Sequence, residues 1–325
     1  MFLRWGLLGT ARINRRLIPA MRSARRSTVV AVAGRDPDRV TEYAKEWQIP
    51  TAHVGYDALL RDPAVDAIYI PLPNALHVEW TLRALDAGKH VLCEKPLALV
   101  AEDVDRVAAV ARARERVVAE AFMYRHEAVI ARVLDLLRDN AVGRMMTIAS
   151  GFTFDLDRPA DVRRDPALGG GSLWDIGCYA VSVARLVAGC EPLEVFGWAS
   201  WGPTGVDESF TGLLRFPGEV LATVHSSFRS RYRTWLEVGG TTGVLQIAEP
   251  FKPSTQADIV ITRADESRTI RVEGPAMLYV RQIEDFVAAV FDGRTQPVSL
   301  EESRGNAAAI SALYASARAG KPVKL

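Results

Sequence analysis

The sequence predicts an α/β protein in two parts. Residues 1–121 read as a doubly wound parallel sheet, and residues 122–325 as an α+β domain on a large, open, mostly antiparallel sheet. Three observations carry this. Strand and helix patterns alternate through the first third, strand runs follow one another without helices from Leu193 onward, and 325 residues with 49% apolar content suffice for two cores.

In the first part, Phe2–Leu8 is a strand, Ile13–Met21 a helix and Thr28–Ala33 a second strand, followed by a helix from Pro37 to Trp47. Val65–Ile70 is a strand, Ala75–Ala87 a helix, Val91–Cys93 a strand, Glu102–Arg114 a helix and Val117–Ala119 a strand. Strands separated by helices of this length imply βαβ units with helices on both sheet faces.

After Ala121 the grammar changes. A helix spans Ala128–Arg138, a strand Arg144–Phe154, and a polar loop Asp155–Asp165 leads to Gly169-Gly170-Gly171 and a helix through Val187. Seven strand-like runs follow: Leu193–Trp198, Ser209–Phe216, Val220–Phe228, Thr234–Gly239, Gly243–Ile247, Asp258–Thr262 and Arg268–Val272. Turn signals such as Phe216-Pro217-Gly218 separate them. Helices Leu278–Asp292 and Glu301–Arg318 close the chain, and with no repeat or low-complexity linker the second part is expected to pack firmly on the first.

Forty basic and 39 acidic residues leave a net charge of +1, which argues against nucleic acid or an anionic membrane surface as main partner. Arg12, Arg15, Arg16, Arg22, Arg25 and Arg26 form a local basic cluster, read as a solvated helix face. No apolar run reaches the roughly 18 residues of a membrane span, and the first strand lacks the parts of a signal peptide, so a cytoplasmic protein is expected. Cys93, Cys178 and Cys190, without a C-x-x-C pair, argue against a disulfide framework and a zinc site, and each is expected to be a small buried hydrophobe. No metal is expected.

Gly9-Thr10-Ala11-Arg12-Ile13-Asn14 stands where a dinucleotide fold wants G-x-G-x-x-G. Only the first glycine is kept, but its place between a strand and a helix suits a pyrophosphate at a helix N-terminus. The second strand ends in Gly34-Arg35-Asp36, with Arg39 one helical turn on. Glycine and arginine where NAD binding usually places an acid favour NADP, with NAD the alternative through Asp36. Pro71-Leu72-Pro73-Asn74 stiffens the next strand-to-helix turn, with Asn74 a good helix cap, and the lone His77 reads as structural rather than catalytic.

The stretch with the most chemistry is Ala87-Gly88-Lys89-His90-Val91-Leu92-Cys93-Glu94-Lys95-Pro96. A buried strand ends in a carboxylate and an ammonium, at the sheet edge where open α/β folds bind ligands, and Pro96 restrains the lysine's backbone. A surface Glu-Lys-Pro turn is the alternative. Downstream, Gly169-Gly170-Gly171 marks a close-approach loop, and Asp175 and Tyr179, four apart on the following helix, share a face. Moving hydride to or from an alcohol carbon requires a proton to leave or join its oxygen. A tyrosine beside an ammonium is a better base than one with a pKa of about 10. Tyr179 is therefore expected to exchange the substrate proton, Lys95 to bias it and polarise the oxygen, and Asp175 to orient substrate or lysine; Lys95 itself is the alternative acid/base.

With Gly9, Pro73-Asn74 with His77, Ala87 through Pro96 and Gly169 through Tyr179 in place, the chain resembles the Gfo/Idh/MocA oxidoreductases, named after glucose-fructose oxidoreductase and inositol dehydrogenase. The resemblance covers nearly the whole length. It implies a Rossmann domain, a catalytic Lys95, and a second domain whose open sheet often forms a dimer interface, hence a homo-oligomer, dimer or tetramer. Many members carry histidine where Tyr179 stands. The tyrosine is similar to the branch with dihydrodiol dehydrogenases, aldose dehydrogenases and sugar ketoreductases. By their position near these motifs, Phe122, Tyr124, Arg125, Phe154, Arg163 and Trp174 either line a sugar pocket or pack locally, and Gly9 through Ile13, Pro71, Leu72, Asn74, His77, Glu94 and Lys95 are expected at the cofactor. The expected activity is NADP-favouring hydride transfer to or from a sugar, polyol or dihydrodiol. The rivals are a reductase or 3-dehydrogenase for nucleotide-linked or glycosidic sugars, and a non-catalytic dinucleotide sensor.

Overall fold

The computed structural model describes residues 1–264, 266–274 and 276–325, and these fall into two compact units: Met1–Met123 with Met277–Arg304, and Tyr124–Ala276 with Gly305–Leu325. In the first, β1 (Leu3–Leu8), α1 (Asn14–Ser23), β2 (Ser27–Gly34), α2 (Pro37–Glu46), β3 (Thr51–Val54), α3 (Tyr56–Leu60), β4 (Ala67–Ile70), α4 (His77–Asp86), β5 (His90–Cys93), α5 (Ala101–Ala113) and β6 (Val118–Glu120) alternate as the sequence predicts. The six strands are parallel in the order β3-β2-β1-β4-β5-β6. The order reverses between β1 and β4, the switch point where such sheets bind ligands. β4 and the Val91–Cys93 run of β5 are wholly buried, as continuous apolar runs in a doubly covered sheet should be.

Two of these elements, β3 and α3, are not among those the sequence predicts. A four-residue edge strand alternating half-buried and exposed residues and a five-residue helix are too short to show a period. Asn74 is not the cap it was expected to be: it opens a single 3₁₀ turn, Asn74–Leu76, and neither that turn nor α4 has a side-chain cap. Lys89 and His90 explain part of the Ala-Gly-Lys-His run by packing. The Lys89 ammonium donates to the carbonyls of Asp62 and Val65, each at 2.7 Å, and His90 Nδ1 accepts the Val117 N–H at 3.0 Å.

The second unit holds α6 (Ala128–Arg138), β7 (Met145–Asp155), α7 (Cys178–Ala188), β8 (Glu194–Trp201), β9 (Asp207–Arg215), β10 (Leu221–Ser227), β11 (Arg229–Gly240), β12 (Val244–Ile247), β13 (Gln256–Arg263) and β14 (Glu266–Glu273). Then α8 (Val280–Asp292) returns to the first unit, packing on α1, before α9 (Leu300–Ala319) and β15 (Val323–Lys324) end the chain. The nine-stranded sheet runs β14-β13-β12-β11-β7-β10-β9-β8-β15, antiparallel except for the β7–β10 pair. α7 packs against β7 and β10. Trp198, Leu213 and Leu221 stay exposed on the sheet. Cys93 and Cys178 are buried as expected, but Cys190 is exposed, because it lies beyond the Gly189 turn that ends α7. No helix among the described residues is long and apolar enough to cross a membrane.

Candidate active site

In the first unit eight of the expected cofactor residues meet at the carboxyl ends of β1, β2 and β4. A cavity of about 760 Å³ is lined by Gly9, Thr10, Ala11, Gly34, Arg35, Arg39, Pro71 and Leu72, with Asp36 and Tyr56 at its wall. That volume suits a cofactor-sized ligand, for which pockets run to about 300–1,000 Å³. Gly9 has φ +117°, a conformation that disfavours a side chain, so the kept glycine is required. Asn14, in the third glycine's register, is fully buried and donates Nδ2–H to the Gly9 carbonyl at 2.9 Å. A hydrogen bond thus fixes the turn that the motif otherwise fixes with glycines. Gly34 is needed for a different reason, since a Cβ there would lie 2.9 Å from Val40 Cβ.

Charge at the β2 end is arranged for an anion. Arg35 and Arg39 are exposed at the cavity, whereas the Asp36 carboxylate accepts the Arg39 backbone N–H at 3.0 Å and so caps α2. Arg12 is exposed and Ile13 half-buried at the start of α1. Neither lines this cavity, nor do Asn74, His77, Glu94 and Lys95. Asp38 also lines the cavity, beside Asp36. The cavity fits a dinucleotide with a phosphate near its ribose: glycine at the turn, a helix N-terminus, and the exposed guanidiniums of Arg35 and Arg39.

Beyond β5, the Glu94–Leu97 loop is bolted down on both sides of Lys95. The Tyr69 hydroxyl donates to Glu94 Oε1 at 2.6 Å, and the Glu94 N–H donates to the Ile70 carbonyl at 3.0 Å. After the lysine, His77 Nδ1 lies 2.7 Å from the Pro96 carbonyl oxygen, and Leu97 N–H donates to Glu120 Oε1 at 2.9 Å. The Lys95–Pro96 peptide is cis. His77 Nε2 also lies 2.7 Å from the Leu72 carbonyl oxygen, so the buried ring bridges the β4 and β5 loops. Burial outweighs both carbonyls and holds its pKa at about 4, so at neutral pH the neutral ring donates to one of them. Burial first, and then Glu94, push the Tyr69 phenol well up, so it remains a donor.

In the second unit the expected uniform helix is corrected. A π turn, Leu173–Gly177, precedes α7, so Asp175 and Tyr179 are separated by a wider turn than the α-helical spacing assumes. The turn is tightly packed: a Cβ on Gly177 would lie 2.7 Å from Leu173 Cδ1 and 3.0 Å from Ser226 Oγ on β10. The glycine-rich loop before it is the close-approach segment expected. A Cβ on Gly170 would lie 2.4 Å from the Arg163 carbonyl oxygen, and one on Gly171 2.2 Å from Asp207 Oδ1.

Asp175 and Arg163 come together. Arg163 Nε lies 2.7 Å from Asp175 Oδ2, and Arg163 Nη1 lies 3.1 Å from Asp161 Oδ1. Asp175, followed by Asp161, raises the guanidinium's pKa further, so the cation is permanent. Tyr179 is 4% exposed and sits among the rings of Tyr124, Phe152 and Phe251, with centroids 5.8, 5.7 and 5.3 Å away. Tyr124 hydrogen-bonds through its hydroxyl to Ser182 Oγ at 2.7 Å. The Lys252 ammonium lies 5.1 Å from the centre of the Phe152 ring. Trp174 is buried against Tyr314 at 5.7 Å, Phe154 packs on Phe228 at 5.3 Å, Arg125 is half-buried and Phe122 is fully buried. Sequence reading missed Phe152, Phe251 and Lys252. The alternation Phe152-x-Phe154 on β7 could have pointed to the first, but Phe251 and Lys252 lie in an irregular loop that carries no periodic signal.

Comparison with known proteins places this architecture. A D-xylose 1-dehydrogenase (NADP(+)) of Haloferax volcanii is 38% identical over 99% of both chains. A 3-ketoreductase from Actinomadura kijaniata, solved with NADP and TDP-benzene, superposes with a TM-score of 0.93 at 32% identity, covering 97% of this chain and 98% of its own. An aldose-aldose oxidoreductase from Caulobacter crescentus, complexed with glycerol, gives 0.92 at 27% identity over the whole of both chains. The model of the oxidoreductase family with an NAD-binding Rossmann fold matches residues 3–122, and that of the Gfo/Idh/MocA C-terminal domain residues 130–246. The chain belongs to the Gfo/Idh/MocA oxidoreductase family.

Proposed function

We propose that this protein is an NADP-preferring dehydrogenase or reductase acting on a C–OH or C=O group of a sugar or polyol. The observation that carries the reading is the Glu94–Leu97 loop, anchored by Tyr69, His77 and Glu120 so that Lys95 is presented on a fixed backbone at the ligand-binding edge of the sheet. The xylose dehydrogenase and 3-ketoreductase among its relatives support the substrate class, and Arg35 and Arg39 at the cavity support NADP over NAD.

The bound dinucleotide supplies a nicotinamide ring that accepts or donates hydride. Tyr179 takes the proton from the substrate hydroxyl in oxidation and returns one in reduction. The Lys95 ammonium polarises the same oxygen and favours the phenolate. Asp175, held by Arg163, orients the reacting group, and the buried rings packed around Tyr179 exclude water from it. Following reduced nicotinamide by absorbance with a panel of aldoses, polyols and dihydrodiols tests the class. Lys95→Ala and Tyr179→Phe should each lower kcat by about 10²–10⁴-fold. Near-normal turnover in Tyr179→Phe removes the tyrosine from the role, and in Lys95→Ala it undoes the scheme.

A second reading, reduction of a nucleotide-linked sugar, is favoured by the TDP-benzene held by the Actinomadura enzyme and by the partly exposed guanidinium of Arg163. Activity with a dTDP-keto sugar exceeding that with every free aldose would select it. The protein works in the cytoplasm, consistent with its three free thiols. It also forms a homodimer through the open sheet, where Trp198, paired with Thr211, and Leu213, paired with Phe196 and Thr223, lie on adjacent strands.

A further inference from the structure

We propose that Asp207 is a positioning residue for the reaction: its buried carboxylate, supplied by the first residue of β9, caps and fixes the turn that delivers Asp175 and Tyr179. This rests on the reading of those two side chains given above. The turn that opens at Ser172 has no local side-chain cap, although its first N–H groups need acceptors. Asp207 provides one from another element. Its Oδ2 accepts the Leu173 N–H at 2.8 Å and the Ser172 hydroxyl at 2.7 Å, while Oδ1 accepts the Tyr314 hydroxyl at 2.5 Å. Ser172 Oγ also lies 2.9 Å from Ser226 Oγ, which ties the same point to β10.

Asp207 is 0% exposed and is held by neutral donors. Burying a carboxylate is costly, and burial accordingly raises its pKa against the pull of those donors. Three buried donors on the turn and on α9 converge on it, and removing it would leave all three without an acceptor. A carboxylate at a helix N-terminus is favoured by the dipole and fixes the first turn. One turn on, the Asp175 N–H donates to the Gly171 carbonyl at 3.0 Å. Gly171, at φ +122°, is the residue that lets the carboxylate approach. The π turn Leu173–Gly177, which carries Asp175 and leads into α7 with Tyr179, therefore begins at a point set by β9, β10 and α9 together, and such turns recur at functional sites.

The test compares Asp207→Asn, Tyr314→Phe, Tyr179→Phe and Asp175→Asn. Asparagine keeps the shape of the side chain but replaces one acceptor oxygen with a donor, and phenylalanine at Tyr314 leaves both Oδ2 contacts in place while removing the Oδ1 contact and the hydroxyl's bond to the Trp174 backbone, a milder change should the first variant fold poorly. Misplacement of about 1 Å at a reacting group costs up to about hundredfold, so Asp207→Asn should lose about tenfold to hundredfold in kcat with KM for NADP⁺ within about twofold. The primary deuterium isotope effect on kcat should rise as chemistry becomes limiting, and amide exchange over residues 172–179 should quicken. Tyr314→Phe should show the same changes at smaller size. An unfolded fraction would lower kcat without altering the isotope effect, and that result overturns the proposal. Near-normal kcat in both Asp207→Asn and Tyr314→Phe overturns it while leaving the reading of Tyr179 intact. Near-normal kcat in both Tyr179→Phe and Asp175→Asn overturns that reading and the positioning role with it.

Discussion

Replacing Arg35 with alanine, alone and with Arg39→Ala, should move cofactor preference without touching the chemistry. The two guanidiniums are exposed at the wall of the 760 Å³ cavity, and between them Asp36 is committed to the Arg39 N–H. One oxygen of the acid that would otherwise hold a ribose hydroxyl is thus bound to the backbone, and the two guanidiniums stand on either side of it for a phosphate. A hydrogen bond to a charged group is worth about 1.5–3 kcal/mol, and exposure to water and salt places these two near the lower end. At about 1.4 kcal/mol per factor of ten, each arginine accounts for about tenfold in kcat/KM for NADP⁺, and the pair for somewhat less than about hundredfold, because neighbouring cations share one phosphate. The assay is initial rate against NADP⁺ and NAD⁺ at fixed sugar, at low and high ionic strength. NAD⁺ values should stay within about twofold, and the NADP⁺ preference should shrink with salt. If the double variant keeps its NADP⁺/NAD⁺ ratio within about threefold of the parent, or the parent itself prefers NAD⁺ by more than about tenfold, a difference of about 1.4 kcal/mol, the assignment of these arginines is wrong.

Acid should weaken the first unit through His77. Its folded pKa of about 4 lies below the ordinary 6.5, so the unfolded chain binds the proton more readily; the stabilisation is complete above the unfolded value and is lost as pH falls toward about 4. Near pH 5 the loss from this ring comes to about 2 kcal/mol, and urea melts of His77→Gln should show a shallower slope between neutral and acid pH than the parent, whose residual slope includes His90, also held at about 4 by burial and Arg116. Equal slopes would contradict the bridging role of the ring. Gly171→Ala should destabilise by about 2–4 kcal/mol, since its Cβ would meet Asp207 and Tyr314 at a φ that disfavours any side chain. A melting temperature unchanged by scanning fluorimetry would refute the close approach. Trp198→Glu, at a residue 64% exposed on the open sheet, should shift a dimer toward monomer in light scattering, and a parent that is already monomeric would rule that interface out.

What the sequence made legible was periodic, and what it hid was contributed by distance. β4 and the Val91–Cys93 run of β5 could be read because a doubly covered strand must be apolar, and the Glu94–Lys95 pair because charge directly after such a strand stands at the ligand-binding edge of the sheet. Arg35 and Arg39 followed from where β2 ends. β3 and α3 were too short to show a period, and Phe251 sits in a loop without one. The uniform helix assumed through Asp175 failed for a different reason. Its wide turn packs Gly177 against Ser226 and bonds the Leu173 N–H to Asp207, partners that are invisible from the spacing of Asp175 and Tyr179. The glycines at 169–171 did signal a close approach, but not what approaches. The same gap separates the two halves of the dinucleotide motif: the missing third glycine weakens the pattern, yet Asn14 restores the fixed turn with one hydrogen bond to Gly9. A motif written in residue types undercounts such substitutions, because the backbone needs its turn fixed and is indifferent to whether a small side chain or a side-chain amide fixes it.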